Sequence, residues 1–186
     1  MSDEFVAGVE AHLREVLGAD TGRAGVTFLG SEPVEVLRFG PDAHGLVRYV
    51  TLGMSRAPLP DPSSDTVSLE GPRAELVLTL RERRDGVLRA LAAAAMSPFV
   101  ENATIRPGAV LDLGEPLWPG GRFVAVLIAE PGPVPGLGDV AFYPLVPMTA
   151  NEAAFKRVHG AAALEERWLA SGADPHDPDR VEVSLL

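Results

Sequence analysis

The stretch YVTLGMSRAPLP, residues 49 to 60, runs from an apolar segment into Gly53, Met54, Ser55, Arg56 and Ala57, much as a serine nucleophile sits on a G-x-S-x-G elbow. Such an elbow needs a strand, a tight turn and then a helix whose N-terminus supports the oxyanion. Pro58, Pro60 and Pro62 forbid that helix, so Ser55 is read as a structural residue and no catalytic residue is assigned. Asp42 and His44 lie two apart in GPDAHG and could act as a carboxylate and a general base. With Ser55 they define the alternative reading, a hydrolase or small-ligand-binding protein whose polar groups converge in space though scattered in sequence.

Other candidate chemistry fails on context. Gly136, Gly138 and Ala141 imitate a dinucleotide fingerprint, but DVAFYPLVP after them reads as strand, where the motif needs a helix to meet the pyrophosphate. Asp174, His176, Asp177 and Asp179 carry oxygen and nitrogen donors for a hard cation, yet Pro175 and Pro178 splay them, so the cluster is read as an exposed polar turn. His12, His44 and His159 have no second ligand at helical spacing, and cysteine is absent, which removes disulfides, thiolate metal sites and cysteine nucleophiles. No cofactor and no metal ligand is assigned, and the chain is expected not to be an enzyme.

The formal net charge of -10 disfavours nucleic acid and anionic membranes as partners and favours a protein partner more basic than the chain itself. The run RERR, residues 81 to 84, is read as a solvated turn, because nucleic-acid binders carry a broader basic surface with stacking aromatics. The N-terminal segment lacks the basic and apolar regions of a signal peptide, and no apolar run reaches the ~18 residues that span a bilayer. A cytoplasmic protein is expected. Fifteen arginines against the single Lys156 point to a GC-rich, bacterial coding sequence.

The elements that must position these residues follow from periodicity. Phe5, Val9, Leu13, Val16 and Leu17 recur at helical steps before Gly18 and predict an amphipathic helix. Residues 26–30, 34–39 and 46–52 read as short strands, the last two joined as a hairpin. After a Pro-rich loop, residues 73–81 alternate Ala74, Leu76, Leu78 and Leu80 against Glu75, Val77 and Thr79, the pattern of a half-buried strand. The alanine-rich segment from Gly86 predicts a helix stopped by Pro98. Strands follow at 109–114 and 123–129, the second central because it has no polar face. The prolines of VAFYPLVP push that strand towards an edge. Thr149 and Glu152 are spaced as a capping box for a helix from 150 to Gly160; a second helix stops at Gly172, and the tail 173–186 has turn chemistry and then a short strand. The order predicts an α+β fold over residues 1–186 as one domain, a mixed, mostly antiparallel sheet with helices packed against it.

RYVTLGMS (48–55), the Pro-rich loop, GPRAELVLTLR (71–81) with the helix after it, and PLVPMTANEAAFKRVHGAAALEERWL (144–169) together resemble the suppressor of fused (SUFU) domain family, as found in bacterial proteins. The resemblance covers roughly residues 25 to 170. It implies an α+β fold without established enzymatic activity. In animals the family binds a transcription-factor peptide that adds as an extended strand between two lobes, and this chain matches the N-terminal lobe. An aromatic and an acidic peptide-contacting position of the animal proteins fall on Ser97 and Ala109, which departs from that recognition. For bacterial relatives the resemblance implies immunity proteins that neutralise toxins. The expected function is therefore a non-catalytic protein-binding domain.

Overall fold

The computed structural model of the chain describes residues 2–66 and 68–186. β1 (Asp20–Val26), β2 (Val34–Phe39), β3 (Val47–Leu52) and β4 (Arg73–Leu80) pair antiparallel in succession. β7 (Val140–Met148) lies parallel to β4, and β6 (Ala125–Ile128) and β5 (Val110–Asp112) continue antiparallel beyond it. The seven-stranded order is β1-β2-β3-β4-β7-β6-β5. A parallel pair needs a long crossover, and here it holds α2 (Val87–Val100) together with β5 and β6. The fold is α+β, with a mixed, mostly antiparallel sheet.

Helices cover both faces of the sheet. Ala74, Leu76, Leu78 and Leu80 of β4 pack with Leu91, Ala92 and Ala95 of α2. On the other face α1 (Ser2–Leu17) presents Val6, Val9 and Leu13 to Leu37, Val50, Val77 and Phe142. Val9 and Leu13 are fully buried, each contributing roughly 1.5–3 kcal/mol of apolar transfer. α3 (Ala150–His159) and α4 (Ala161–Ala170) close that same face further along. Val140 and Phe142 of β7 join the α1 cluster, and Val146 and Met148, in the same phase, join the α3–α4 cluster.

Both faces of β4 are therefore covered, and the expectation of a half-buried strand is corrected. Even Glu75, read as the polar side, is wholly buried. α1 covers a face that the alternation pattern leaves to solvent.

Four other expectations change. The first strand spans Asp20–Val26 rather than 26–30, and Leu29 is fully exposed. Its sequence DTGRAGV is poor in apolar residues because it is an edge strand, held by its ladder to β2.

The alanine-rich helix passes through Pro98 to Val100. Proline at 98 leaves the Ala94 carbonyl without its intrahelical donor, and Ser97 Oγ donates to that carbonyl at 2.7 Å. The carbonyl that proline deprives is thereby served.

β7 is central, between β4 and β6, although it contains Pro144 and Pro147. The Pro144 carbonyl accepts from Ala129 N at 2.8 Å at the end of the β6 ladder, while the Pro147 carbonyl accepts from Arg180 Nη2 at 2.6 Å beyond the end of β4. Each missing N–H thus falls where the ladder has already ended.

The tail forms no strand. It runs back across the sheet end, where Arg81 N donates to the His176 carbonyl at 2.8 Å.

Candidate functional site

Ser55 lies in a single 3-10 turn, Met54–Arg56, where the chain leaves β3. Gly53 opens the turn at φ 118°, and a Cβ there would stand 3.1 Å from the Pro33 carbonyl oxygen. Ser55 and Glu75 are both fully buried. Glu75 Oε1 accepts from Gly53 N at 2.9 Å, Ser55 N at 3.0 Å and Ser55 Oγ at 2.6 Å, and Oε2 accepts from Thr51 Oγ1 at 2.6 Å. Thr51 Oγ1 in turn accepts from Leu76 N at 2.8 Å, so the cluster bridges β3 to β4.

Burial drives the Glu75 carboxyl above its ordinary value, and the hydrogen bonds from Ser55, Thr51 and Gly53 only partly oppose this. A carboxylate against a serine hydroxyl resembles a base beside a nucleophile. Here neither atom can meet a substrate, and no histidine joins them among the described residues. The cluster fixes a turn. Arg73 extends it, donating from Nη1 to the Ser55 carbonyl at 2.8 Å and to the Arg56 carbonyl at 2.6 Å.

Asp42 and His44 lie at the opposite end of β3 from Ser55, so a six-residue strand, roughly 20 Å long, separates them. Asp42 Oδ1 accepts from His44 N at 2.8 Å and Leu46 N at 3.0 Å, and Oδ2 from Arg48 Nη1 at 2.7 Å. The Arg48 hydrogen bond, then the backbone donors, bring the Asp42 carboxyl down to about 2. The imidazole of His44 is exposed and plays no part. The structure does not bring Asp42, His44 and Ser55 together.

Gly136 and Gly138 belong to a tight connection in which Leu137 and Val140 exchange backbone hydrogen bonds at 3.0 and 2.9 Å, with β7 following directly. Two aspartates of the tail reach back to the RERR run. Asp174 pairs with Arg81 and Asp179 with Arg84, while His176 Nδ1 lies 3.2 Å from the Thr79 carbonyl. Among the described residues, no group of three or more His, Asp or Glu side chains could hold a metal ion.

A second buried carboxylate escaped sequence reasoning in its main role. Glu152 completes the capping box with Thr149 and also receives Arg180 Nη1 at 2.7 Å and Nη2 at 2.8 Å. Burial opposes the charged form of Glu152, yet the Arg180 hydrogen bonds, the Thr149 N–H, the Arg180 charge and the Trp168 N–H together outweigh it and hold its carboxyl below the ordinary value. Arg180 also lies over the rings of Phe123 and Trp168, at 4.8 and 5.5 Å. The capping box was legible; its partner 28 residues on was not.

Two surface features remain open to a partner. Among the described residues, β5 pairs with β6 on one side only. Leu113 N donates to the Val124 carbonyl, so strand alternation turns the backbone groups of Val110 and Asp112 away from β6, to the free edge. Beside it an apolar groove of about 960 Å³ lies between α2, the segment after β1 and residues 112–119. Ser97, on α2, lines this groove, and Ala109 directly precedes β5.

Comparison with known proteins places this architecture. Across 96% of this chain and 96% of the other, the structure matches a SUFU (suppressor of fused protein) homolog from Neisseria gonorrhoeae FA 1090, with a TM-score of 0.72 and 19% identity. It matches the Sufu-Fu complex crystal structure with a TM-score of 0.65 and 14% identity, over 95% of this chain and 91% of that one. Drosophila Suppressor of Fused matches with a TM-score of 0.62 and 16% identity, over 94% of this chain and 50% of that chain. No curated protein matches. At these identities the neighbours share the fold. The family model for Suppressor of fused protein (SUFU) matches residues 30–181, and the chain belongs to that family.

Proposed function

We propose that residues 1–186 act as one non-catalytic protein-binding domain, an immunity protein that neutralises a toxin more basic than itself. The observation that carries this reading is the edge of β5, where the backbone groups of Val110 and Asp112 have no partner among the described residues and are offered for strand addition. The opposite edge, β1, is guarded by a register shift near Asp20 and by Arg23, which pairs with Glu10 and Glu35. The Sufu-Fu complex among its structural neighbours supports a fold that meets protein partners. The net charge of -10 supports electrostatic attraction of a basic one in the cytoplasm, and no helix among the described residues is long and apolar enough to cross a membrane.

The test is affinity capture with the tagged protein from its native lysate, comparing wild type, Asp112→Pro and Asp112→Ala. Proline removes an outward N–H without touching the β6 ladder, whereas alanine removes only the ion pair with Arg157, whose Nη2 lies 2.6 Å from Asp112. A toxin retained by the wild type and by Asp112→Ala, and lost with Asp112→Pro, is the expected result. Equal retention by all three overturns strand addition at β5.

A further inference from the structure

The groove beside α2 has a shape and a charge pattern of its own. α2 turns Ala90, Ala94, Ser97 and Glu101 into it, at the i, i+4, i+7, i+11 steps of one helix face. Three of these side chains are small, so another backbone can approach closely, as helices do when packed at axial separations of about 8–10 Å. The far wall carries Leu113 and Trp118, and Pro119 meets Gly86 so closely that a Cβ on Gly86 would lie 2.8 Å from its ring. The 112–119 segment is thereby anchored to the start of α2, leaving the face beyond it open.

Charge gives the groove a direction. Arg89 stands near the start of α2 and Glu101 at its end, twelve residues on, or about 18 Å along the axis. Glu115 and Asp112 also line the groove; with Asp112 paired to Arg157, Glu101 and Glu115 stand against the one lining arginine. The C-terminal end of a helix adds its own partial negative charge. An apolar floor with an acidic end complements a helix that carries an aliphatic stripe and basic residues.

We propose that this groove is a docking site for an amphipathic, basic α-helix of about four turns from the protein partner. The inference rests on the protein-binding reading above but uses a surface that shares only Asp112 with the β5 edge. Aliphatic side chains of the incoming helix fill the space over Ala90 and Ala94, and its basic residues meet Glu101 and Glu115. Strand addition and helix docking are separable contacts.

The probe is a fluorescein-labelled peptide of about 14 residues, the length of α2, with leucine at i, i+4, i+7 and i+11 and arginine among the remaining positions. A counterpart carries glutamate for every arginine. Fluorescence anisotropy is read with wild type, Ala93→Trp and Glu101→Arg, both substitutions being at exposed positions on α2 or at its end. The expected result is binding of the arginine peptide alone, with Kd raised at least ~10-fold by either substitution, a change equivalent to about 1.4 kcal/mol. Amide shifts mapped by NMR should then follow Ala90, Ala94 and Leu113.

Failure to bind, equal binding of both peptides, or a Kd indifferent to Ala93→Trp overturns the proposal. Shifts confined to Val110 and Leu111 also overturn it while leaving strand addition standing. Groove binding that survives Asp112→Pro, in a protein whose natural partner also survives it, upholds the groove and removes the edge.

Discussion

The hydroxyl of Ser55 donates to the buried carboxylate of Glu75 at 2.6 Å, across a sequence separation of 20 residues. This pairing converts the residue most reminiscent of a nucleophile into a pin between the turn after β3 and the strand β4. The same carboxylate also receives Thr51 and two backbone N–H groups, so its loss strands four buried donors.

Glu75→Ala should destabilise the protein by about 3 kcal/mol or more, since each unsatisfied buried donor costs roughly 1–3 kcal/mol. Urea unfolding monitored by circular dichroism measures it. Ser55→Ala removes one donor and leaves the acceptor served, and should cost about 1 kcal/mol. A loss at Glu75→Ala no greater than at Ser55→Ala would show that the cluster does not hold the turn.

The two buried carboxylates have opposite pH signatures. For Glu75 the folded-state value lies above 4.5, so the folded chain holds its proton more firmly. Its contribution is full below about pH 4.5 and is lost as pH rises through the folded value. Glu152 is depressed below 4.5 by Arg180, so its contribution is present above about pH 4.5 and is lost as pH falls through the folded value. Unfolding midpoints of Glu75→Gln should therefore gain on the wild type as pH rises from about 4.5, while those of Glu152→Gln should approach the wild type as pH falls.

Arg180→Ala leaves Glu152 charged, buried and without its cation, and should cost about 3–5 kcal/mol. A double-mutant cycle with Glu152→Ala measures the coupling. Because Glu152 also caps α3, its own truncation removes a cap worth about 1 kcal/mol besides the pair. Coupling near zero would mean that the tail is not latched through this contact.

Ser97→Ala should destabilise α2 by about 1 kcal/mol, because Ser97 Oγ is the donor to the Ala94 carbonyl that Pro98 deprives. In a Pro98→Ala background the restored N–H at 98 serves that carbonyl, and the serine substitution should become nearly neutral. Additivity of the two substitutions in thermal unfolding would contradict this account.

Much of the architecture is legible in local sequence. Helical steps in 5–17, the Thr149 and Glu152 capping box, the hairpin around GPDAHG and the existence of strand β4, though not its half-buried character, each arise from neighbours a few residues apart, and each appears in the structure. The proline argument that dismissed an elbow at Ser55 is local too. What failed was position within the sheet: β7 reads as an edge and is central, because proline excludes only a ladder bond, and partners at Pro144 and Pro147 end where that bond would fall.

The sequence by itself determined the family signature, the α+β class, the acidic charge and the absence of cysteine chemistry, all of which depend on composition and short-range periodicity. Only the tertiary structure decided that Glu75 meets Ser55, that Arg180 meets Glu152, and that β5 leaves an edge beside a groove. The physical reason is that burial and pairing of polar groups are set by which distant segments the sheet order brings together. A glutamate on the weak face of an alternating strand carries no local mark of the turn that will close over it.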